Sequence, residues 1–272
     1  MKIGFFFFTF LLNQYVFAQN IDFSLSSKNI NFVKEQDTLF FQGADKMIYV
    51  YRIKDRFLPA APPMIIKDKR VEAELRADSL FAIPTKKSFK LSQQNLYFAQ
   101  ADTTSNVGFG FRLTSKDFPK VRKLDQVIEP LVYIASEEEL FQIYRDGSKK
   151  SGLDQFWLRI GLSQEYSRQI IRAFYKRVEY ANQNFTTYKE GWKTDMGMIY
   201  IVFGEPKRIN KSNDSEEWIY EQSVSKRFDI GFTFVKKNNQ FCKNHYELQR
   251  DVRYNNVWNE GVDKWRKGEI KN

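Results

Sequence analysis

Three consecutive stretches decide how the second half of the chain is built. They are Tyr180-Ala181-Asn182-Gln183-Asn184-Phe185, then Glu190-Gly191-Trp192-Lys193-Thr194-Asp195-Met196-Gly197, then Ile199-Tyr200-Ile201-Val202-Phe203-Gly204-Glu205-Pro206. The first closes a long helical pattern, and Gly191 offers a left-handed backbone angle that ends such a segment. Trp192 brings a large apolar body with one N–H to satisfy. Thr194 or Asp195 can bond backbone amides of the following turn, after which Gly197 releases the chain into an apolar run, Met198 to Phe203, that reads as a strand. Gly204-Glu205-Pro206 then turns the chain. On this reading the motif is a structural corner.

Upstream of the corner the pattern is helical. Ser163 opens the clearest helix, in which Tyr166, Ile170, Phe174 and Val178 recur every four residues with Ile171 and Tyr175 beside them, so one face packs inward. The opposite row, Arg168, Arg172 and Lys176, is a candidate binding face for an anionic partner; its plainer reading is a solvated charged surface. Ser136 and Glu139 have capping-box spacing ahead of Leu140, Phe141, Ile143 and Tyr144. Asp154 is placed to cap a shorter helix carrying Phe156, Trp157 and Leu158 and ending at Gly161. Downstream, Glu217 to Tyr220, Arg227 to Val235 and Phe241 to Leu248 read as strands, and their short connections imply antiparallel neighbours. Trp258, Val262 and Trp265 predict a last helix that lays two indoles on the domain.

Before residue 115 the signals are short strands. Val71, Ala73, Leu75 and Ala77 alternate with charged residues, and Val107, Phe109, Phe111 and Leu113 alternate with Gly108, Gly110 and Arg112, as half-buried strands do. Thr38 to Gln42, Met47 to Ile53 and Leu96 to Ala101 add further strands, broken by the loop Leu58 to Pro63. The fold class expected is therefore mixed β and α+β. An N-terminal antiparallel β-sandwich, residues 19–122, precedes an α+β domain, residues 123–272, with helices packed on an antiparallel sheet.

Residues 1–18 read as a signal peptide: Lys2, the apolar run Ile3 to Leu12, and Val16-Phe17-Ala18 ahead of cleavage. The run is too short to span a bilayer, and no later stretch is long enough, so the chain is not expected to span a membrane once the leader is removed. Periplasmic, outer-membrane-associated or extracellular location follows. With Lys+Arg 43 against Asp+Glu 33 the chain carries a net charge of +10, which suits an envelope protein partner or an anionic glycan or lipid surface; export argues against nucleic acid. Cys242 is the only cysteine and His245 the only histidine. This excludes an intramolecular disulfide and any zinc site needing two such ligands, so no metal or cofactor is expected. A Cys242–His245 dyad is disfavoured because residues three apart on a strand face opposite sides.

The quoted corner, with Glu217-Trp218-Ile219-Tyr220 following it as an aromatic strand, resembles the GWxTD domain family of exported bacterial proteins over roughly residues 125 to 250. The chain departs from that family at Met196, where a basic residue is usual. The resemblance implies an exported setting and carries no chemistry. In layout the helices and meander are also similar to small periplasmic accessory lipoproteins of outer-membrane assembly, which implies docking to another envelope protein. No reaction is specified by the sequence. The reading is a non-catalytic binding or assembly module; the alternative is a glycan-active hydrolase in which Glu190, Asp195 and Glu205 supply acid and base beside a Trp192 platform, and a lectin-like protein using exposed aromatics is a third. The motif residues Gly191, Trp192, Thr194, Asp195, Gly204, Glu205 and Pro206 are structural on the first reading. The hydrolase requires at least two of the three carboxylates to converge in one cleft.

Overall fold

The computed structural model describes residues 9–11, 23–27, 31–54, 57–66, 74–145, 148–161, 163–221 and 229–270. The first half builds strands β1 (Thr9–Leu11), β2 (Phe23–Leu25), β3 (Phe32–Lys34), β4 (Phe41–Gly43), β5 (Met47–Ile53), β6 (Glu74–Pro84), β7 (Leu96–Gln100) and β8 (Phe109–Thr114). Six of them form a sheet in the order β1-β6-β5-β7-β8-β3, and β2 pairs with β4 in a separate ribbon. The pairings are antiparallel except that β3 runs parallel to β8 at the sheet edge. There the Thr114 hydroxyl donates to the Val33 carbonyl at 2.9 Å. The expected leader contributes β1, which lies against Glu74–Arg76 of β6; the rest of the leader, Val71 and Ala73, and Arg227 at the start of a predicted strand, lie outside the described residues.

Alternation sorts side chains onto two faces of this sheet. Ile48, Val50, Tyr97, Ala99, Phe111 and Leu113 point one way and pack with Phe41 and Leu39, beneath the β2–β4 ribbon. Tyr51, Ile53, Leu75, Leu96 and Phe98 point the other way. A register shift between Arg52 and Ile53 moves β6 from one face to the other, so that Leu75 serves the second face and Ile83 the first. The half-exposed β8 that the sequence suggested is corrected. The glycine-and-arginine face of β8 is also covered, Gly110 and Arg112 both being buried. The Gly110 N–H donates to the Phe241 carbonyl at 2.8 Å, and a Cβ at Gly110 would sit 2.7 Å from that of Phe241. Small residues on a strand here mark where another segment approaches its backbone.

The second half follows as α1 (Leu124–Ile128), a 3-10 turn (Glu129–Tyr133), α2 (Glu137–Arg145), α3 (Lys149–Gly161) and α4 (Gln164–Phe185), then α5 (Asp195–Phe203) after a 3-10 turn at Gly191–Lys193. Strands β9 (Arg208–Lys211), β10 (Ser215–Tyr220), β11 (Ile230–Lys237) and β12 (His245–Leu248) make an antiparallel meander, and α6 (Tyr254–Arg266) closes the chain. The capping box forms reciprocally: Ser136 N–H donates to Glu139 at 2.9 Å and Glu139 N–H to the Ser136 hydroxyl at 3.2 Å. Ser163 caps α4 by accepting from Tyr166 N–H. Ile170, Phe174 and Val178 are buried as predicted, whereas Tyr166 is exposed and reaches the Gly268 carbonyl. Trp157, Phe174 and Trp265 meet edge to face at 5.4 and 5.3 Å, so α6 does lay its indoles on the core.

Two element assignments change. Asp154 lies inside α3 rather than capping it, because the helix begins at Lys149. Met198 to Phe203 is helix, not strand. This segment packs against α4, α6 and β12, so it is apolar nearly all round and shows no amphipathic period; a short apolar run does not by itself separate a buried helix from a buried strand.

Candidate functional site

The motif forms a crossing of backbones at the start of α5. Thr194 caps that helix: its hydroxyl accepts from Gly197 N–H at 3.0 Å and donates to the Gly191 carbonyl at 2.7 Å. Gly191 does not adopt a left-handed angle. Its role is space, since a Cβ there would sit 1.9 Å from the Ala181 carbonyl oxygen of α4, and one at Gly197 would sit 1.9 Å from the Gly191 carbonyl oxygen. The residue that does use the left-handed region is Gly204, with φ of 83°, where α5 ends. Buried Asn182 ties the crossing, accepting from Trp192 N–H at 3.2 Å and donating to the Pro119 carbonyl at 3.0 Å. Thr186 adds a hydroxyl that accepts from Gly191 N–H at 2.9 Å. Trp192 is 3 % exposed and packs edge to face on Tyr133, so its ring offers no platform for a sugar.

Of the candidate carboxylates, Glu190 fastens the two halves directly and Asp195 does so through Arg250. Arg112, from β8, donates to Glu190 and to the Tyr188 carbonyl, each at 2.8 Å, and Lys193 stands 3.2 Å from the other Glu190 oxygen. Burial alone would raise the Glu190 carboxyl, but Arg112 and Lys193 outweigh it and hold it at about 2. Asp195 accepts from Leu248 N–H at 2.8 Å and is paired with Arg250. Arg250 in turn donates to the carbonyls of Ala61 and Pro62 at 2.6 and 2.9 Å, while Ala60 N–H donates to the Lys193 carbonyl at 3.0 Å. The Leu58–Pro63 loop is thereby bound to the corner. Asp195 thus bonds a distant strand, and the amide of the next turn goes to Thr194.

Glu205 stands elsewhere. It lines a groove of about 430 Å³ bounded by the C-terminal end of α4, α5, the inner face of the meander and Asn31. Glu190 and Asp195 do not line this groove, so the three carboxylates do not converge there as the hydrolase would require. Sequence reasoning missed Arg112, Arg250 and the groove residues Tyr180, Tyr200, Glu216 and Trp218. Arg112 left one signal, since it shares its strand face with two glycines. The strand predicted from Phe241 begins only at His245, so Cys242 lies off it and strand alternation does not set the two apart; the thiol-imidazole pair fails on chemistry instead, since burial pushes the Cys242 thiol up to about 12 and His245 Nε2 is engaged by Glu247 at 3.0 Å. No group of three or more metal-ligating side chains is found among the described residues. Arg168, Arg172 and Lys176 are exposed along α4, with Glu165 3.5 Å from Arg168.

No described helix is long and apolar enough to cross a membrane. No protein of curated function matches the chain, and no solved structure does. The GWxTD domain model matches residues 95–267, a longer reach than the motif suggested. It begins at β7 and β8, so it takes in Arg112 with the Glu190 it holds, and it runs through both indoles of α6. Covering more than half of the sequence, this match makes the chain a member of the GWxTD domain family.

Proposed function

We propose that the chain is an exported, non-catalytic binding or assembly module of the bacterial cell envelope. The observation that carries this reading is the use made of the motif carboxylates. Glu190 and Asp195 are each held by an arginine within a backbone crossing, and Glu205 faces a different surface. General acid-base chemistry needs groups positioned on a common reacting centre. Export rests on the leader at residues 1–18, and the net charge of +10 favours an acidic envelope protein or an anionic glycan or lipid surface. The exposed row Arg168, Arg172 and Lys176 is the face assigned to that partner.

The test is affinity purification of the tagged protein from crosslinked envelopes of its native host, beside a variant with Arg168, Arg172 and Lys176 all changed to Glu. A stoichiometric partner that the triple variant loses supports the reading. Recovery unaffected by the reversal overturns the assignment of the face. Glycan hydrolysis that Asp195→Asn abolishes without loss of folded protein would establish the hydrolase instead.

A further inference from the structure

The groove at Glu205 differs from its surroundings in two ways. Its floor is aromatic. Tyr180 and Tyr200 stack with centroids 4.2 Å apart and planes 11° from parallel, and Phe185 links Tyr200 to Trp218 at 5.9 and 5.4 Å. Tyr180 keeps 44 % of its surface exposed at the rim. Several of its polar groups, secondly, bond nothing else in the chain. Among the described residues nothing bonds the Glu205 carboxylate or the Asn244 amide, both exposed, or the hydroxyls of Tyr180 and Tyr246. Side chains that bond nothing in the chain and stand open to solvent are free to bond a ligand, and a groove of this size with aromatic walls and a few polar groups has the composition of a small-ligand site.

Charge narrows the ligand. Lys211 is the groove's one lysine or arginine, and it is already paired with Glu216 at 2.9 Å; Glu216 also accepts from the Trp218 indole N–H at 3.1 Å. No ion pair holds Glu205 among the described residues, and Arg177, the cation beside the neighbouring Gly204, is engaged by the Ile201 and Val202 carbonyls. A phosphate or an acidic sugar placed there would meet a carboxylate that no ion pair neutralises. A purely apolar ligand would leave Glu205 and Asn244 desolvated without a hydrogen bond. A pyranose satisfies both halves of the site, with an apolar C–H face for the rings and hydroxyls around its edge for the carboxylate, amide and phenol groups.

We infer that this groove binds a neutral oligosaccharide, with Tyr180 as the stacking platform and Glu205 and Asn244 holding hydroxyls. This site is separate from the basic row assigned to an envelope partner, although Tyr180 and Asn184 continue that row's spacing of four along α4, so a ligand longer than the groove would leave it beside Lys176. Isothermal titration of the purified chain against chitotetraose, cellotetraose, maltotetraose and mannotetraose, with tetragalacturonate as the acidic counterpart, tests it. A neutral tetrasaccharide should bind with Kd below about 1 mM, weakened at least about tenfold by Tyr180→Ala and by Glu205→Ala, while thermal unfolding of both variants stays close to that of the parent. Failure of every neutral sugar to bind, preference for tetragalacturonate, or binding indifferent to both substitutions overturns the inference. Cleavage of a bound tetrasaccharide would keep the site and overturn the non-catalytic reading; loss of the envelope partner in the pull-down would leave this titration untouched.

Discussion

The backbone crossing at residues 190–197 and the groove beside it share Thr194 and Met196 as a common wall, yet they treat polar groups oppositely. At the crossing the Thr186, Asn182, Thr194 and Asp195 side chains each bond a backbone group of another turn or segment. In the groove a carboxylate, an amide and the hydroxyls of Tyr180 and Tyr246 are left open to a ligand. The residues that identify the family are thus spent on letting chain segments pass within contact of one another, a task that admits few side chains. Binding is left to neighbours whose chemistry is ordinary and whose arrangement is not.

The sharpest way to break this contrast is Gly191→Ala. The added methyl meets the Ala181 carbonyl oxygen and the Asn182 Cα, both backbone, so relief requires α4 and the 3-10 turn to separate. A cost of about 3 kcal/mol or more is expected, read as a lowered unfolding temperature or loss of soluble protein. A variant that unfolds within about 2 °C of the parent would mean that the crossing is looser than its geometry.

Asp195→Asn comes next. It leaves Arg250 without its charge partner in a site where the two side chains are 11 % and 17 % exposed, so about 2 to 3 kcal/mol should be lost. The Leu58–Pro63 loop should then become accessible to protease, because Arg250 also holds that loop. A cycle with Arg250→Met separates the ion pair from the carbonyl contacts. Sugar binding in the groove should be unchanged by Asp195→Asn; a coupled loss would join the two regions into one functional unit.

Acid should loosen the fastening between the halves. Glu190 is held at about 2 against an ordinary value of 4.5, and hydrogen bonding from Arg266 holds Glu139 at about 2 as well. A depressed carboxylate contributes stability above its unfolded value and loses it as pH falls toward its folded one. Unfolding temperature should therefore drop between about pH 4.5 and pH 2, and Glu190→Gln should flatten part of that slope, by about 2 kcal/mol once the exposed quarter of the side chain is allowed for. An unchanged slope in the variant would show that Arg112 gains nothing from the charge on Glu190.

Legibility in the sequence follows the same division. Elements with one wet and one dry face announced themselves: α4 through its spacing of four, α2 through Ser136 and Glu139, α6 through Trp258 and Trp265. α5 did not, since burial on several sides erases the period, and β9 did not, since its four residues are all exposed and polar apart from Ile209. The parallel partner of β8 left no local mark, because β3 pairs across some eighty residues of chain. At the corner Gly191 serves by the space it leaves and not by its backbone freedom, whereas the Thr194 cap was legible. The groove was not, because its walls come from segments as distant as Asn31, Tyr180, Glu205, Trp218 and Asn244, and no local pattern brings those together.

The smallest effect on stability should come from changing Arg168, Arg172 and Lys176 to Glu. All three are exposed, and among the described ion pairs only the one between Arg168 and Glu165 involves them, at 3.5 Å with both side chains mostly in solvent. Surface changes of this kind usually stay within about 0.5 kcal/mol, and the pair to Glu165 is one that salt screens. The triple variant should therefore unfold with the parent and bind neutral sugar with the parent, while its capture of an envelope partner changes. That combination would place recognition of large partners on the row and of small ligands in the groove, on one helix. A triple variant that unfolds early would instead show that the row carries packing through the aliphatic stems of its side chains, and the basic face would then belong with the crossing, as structure.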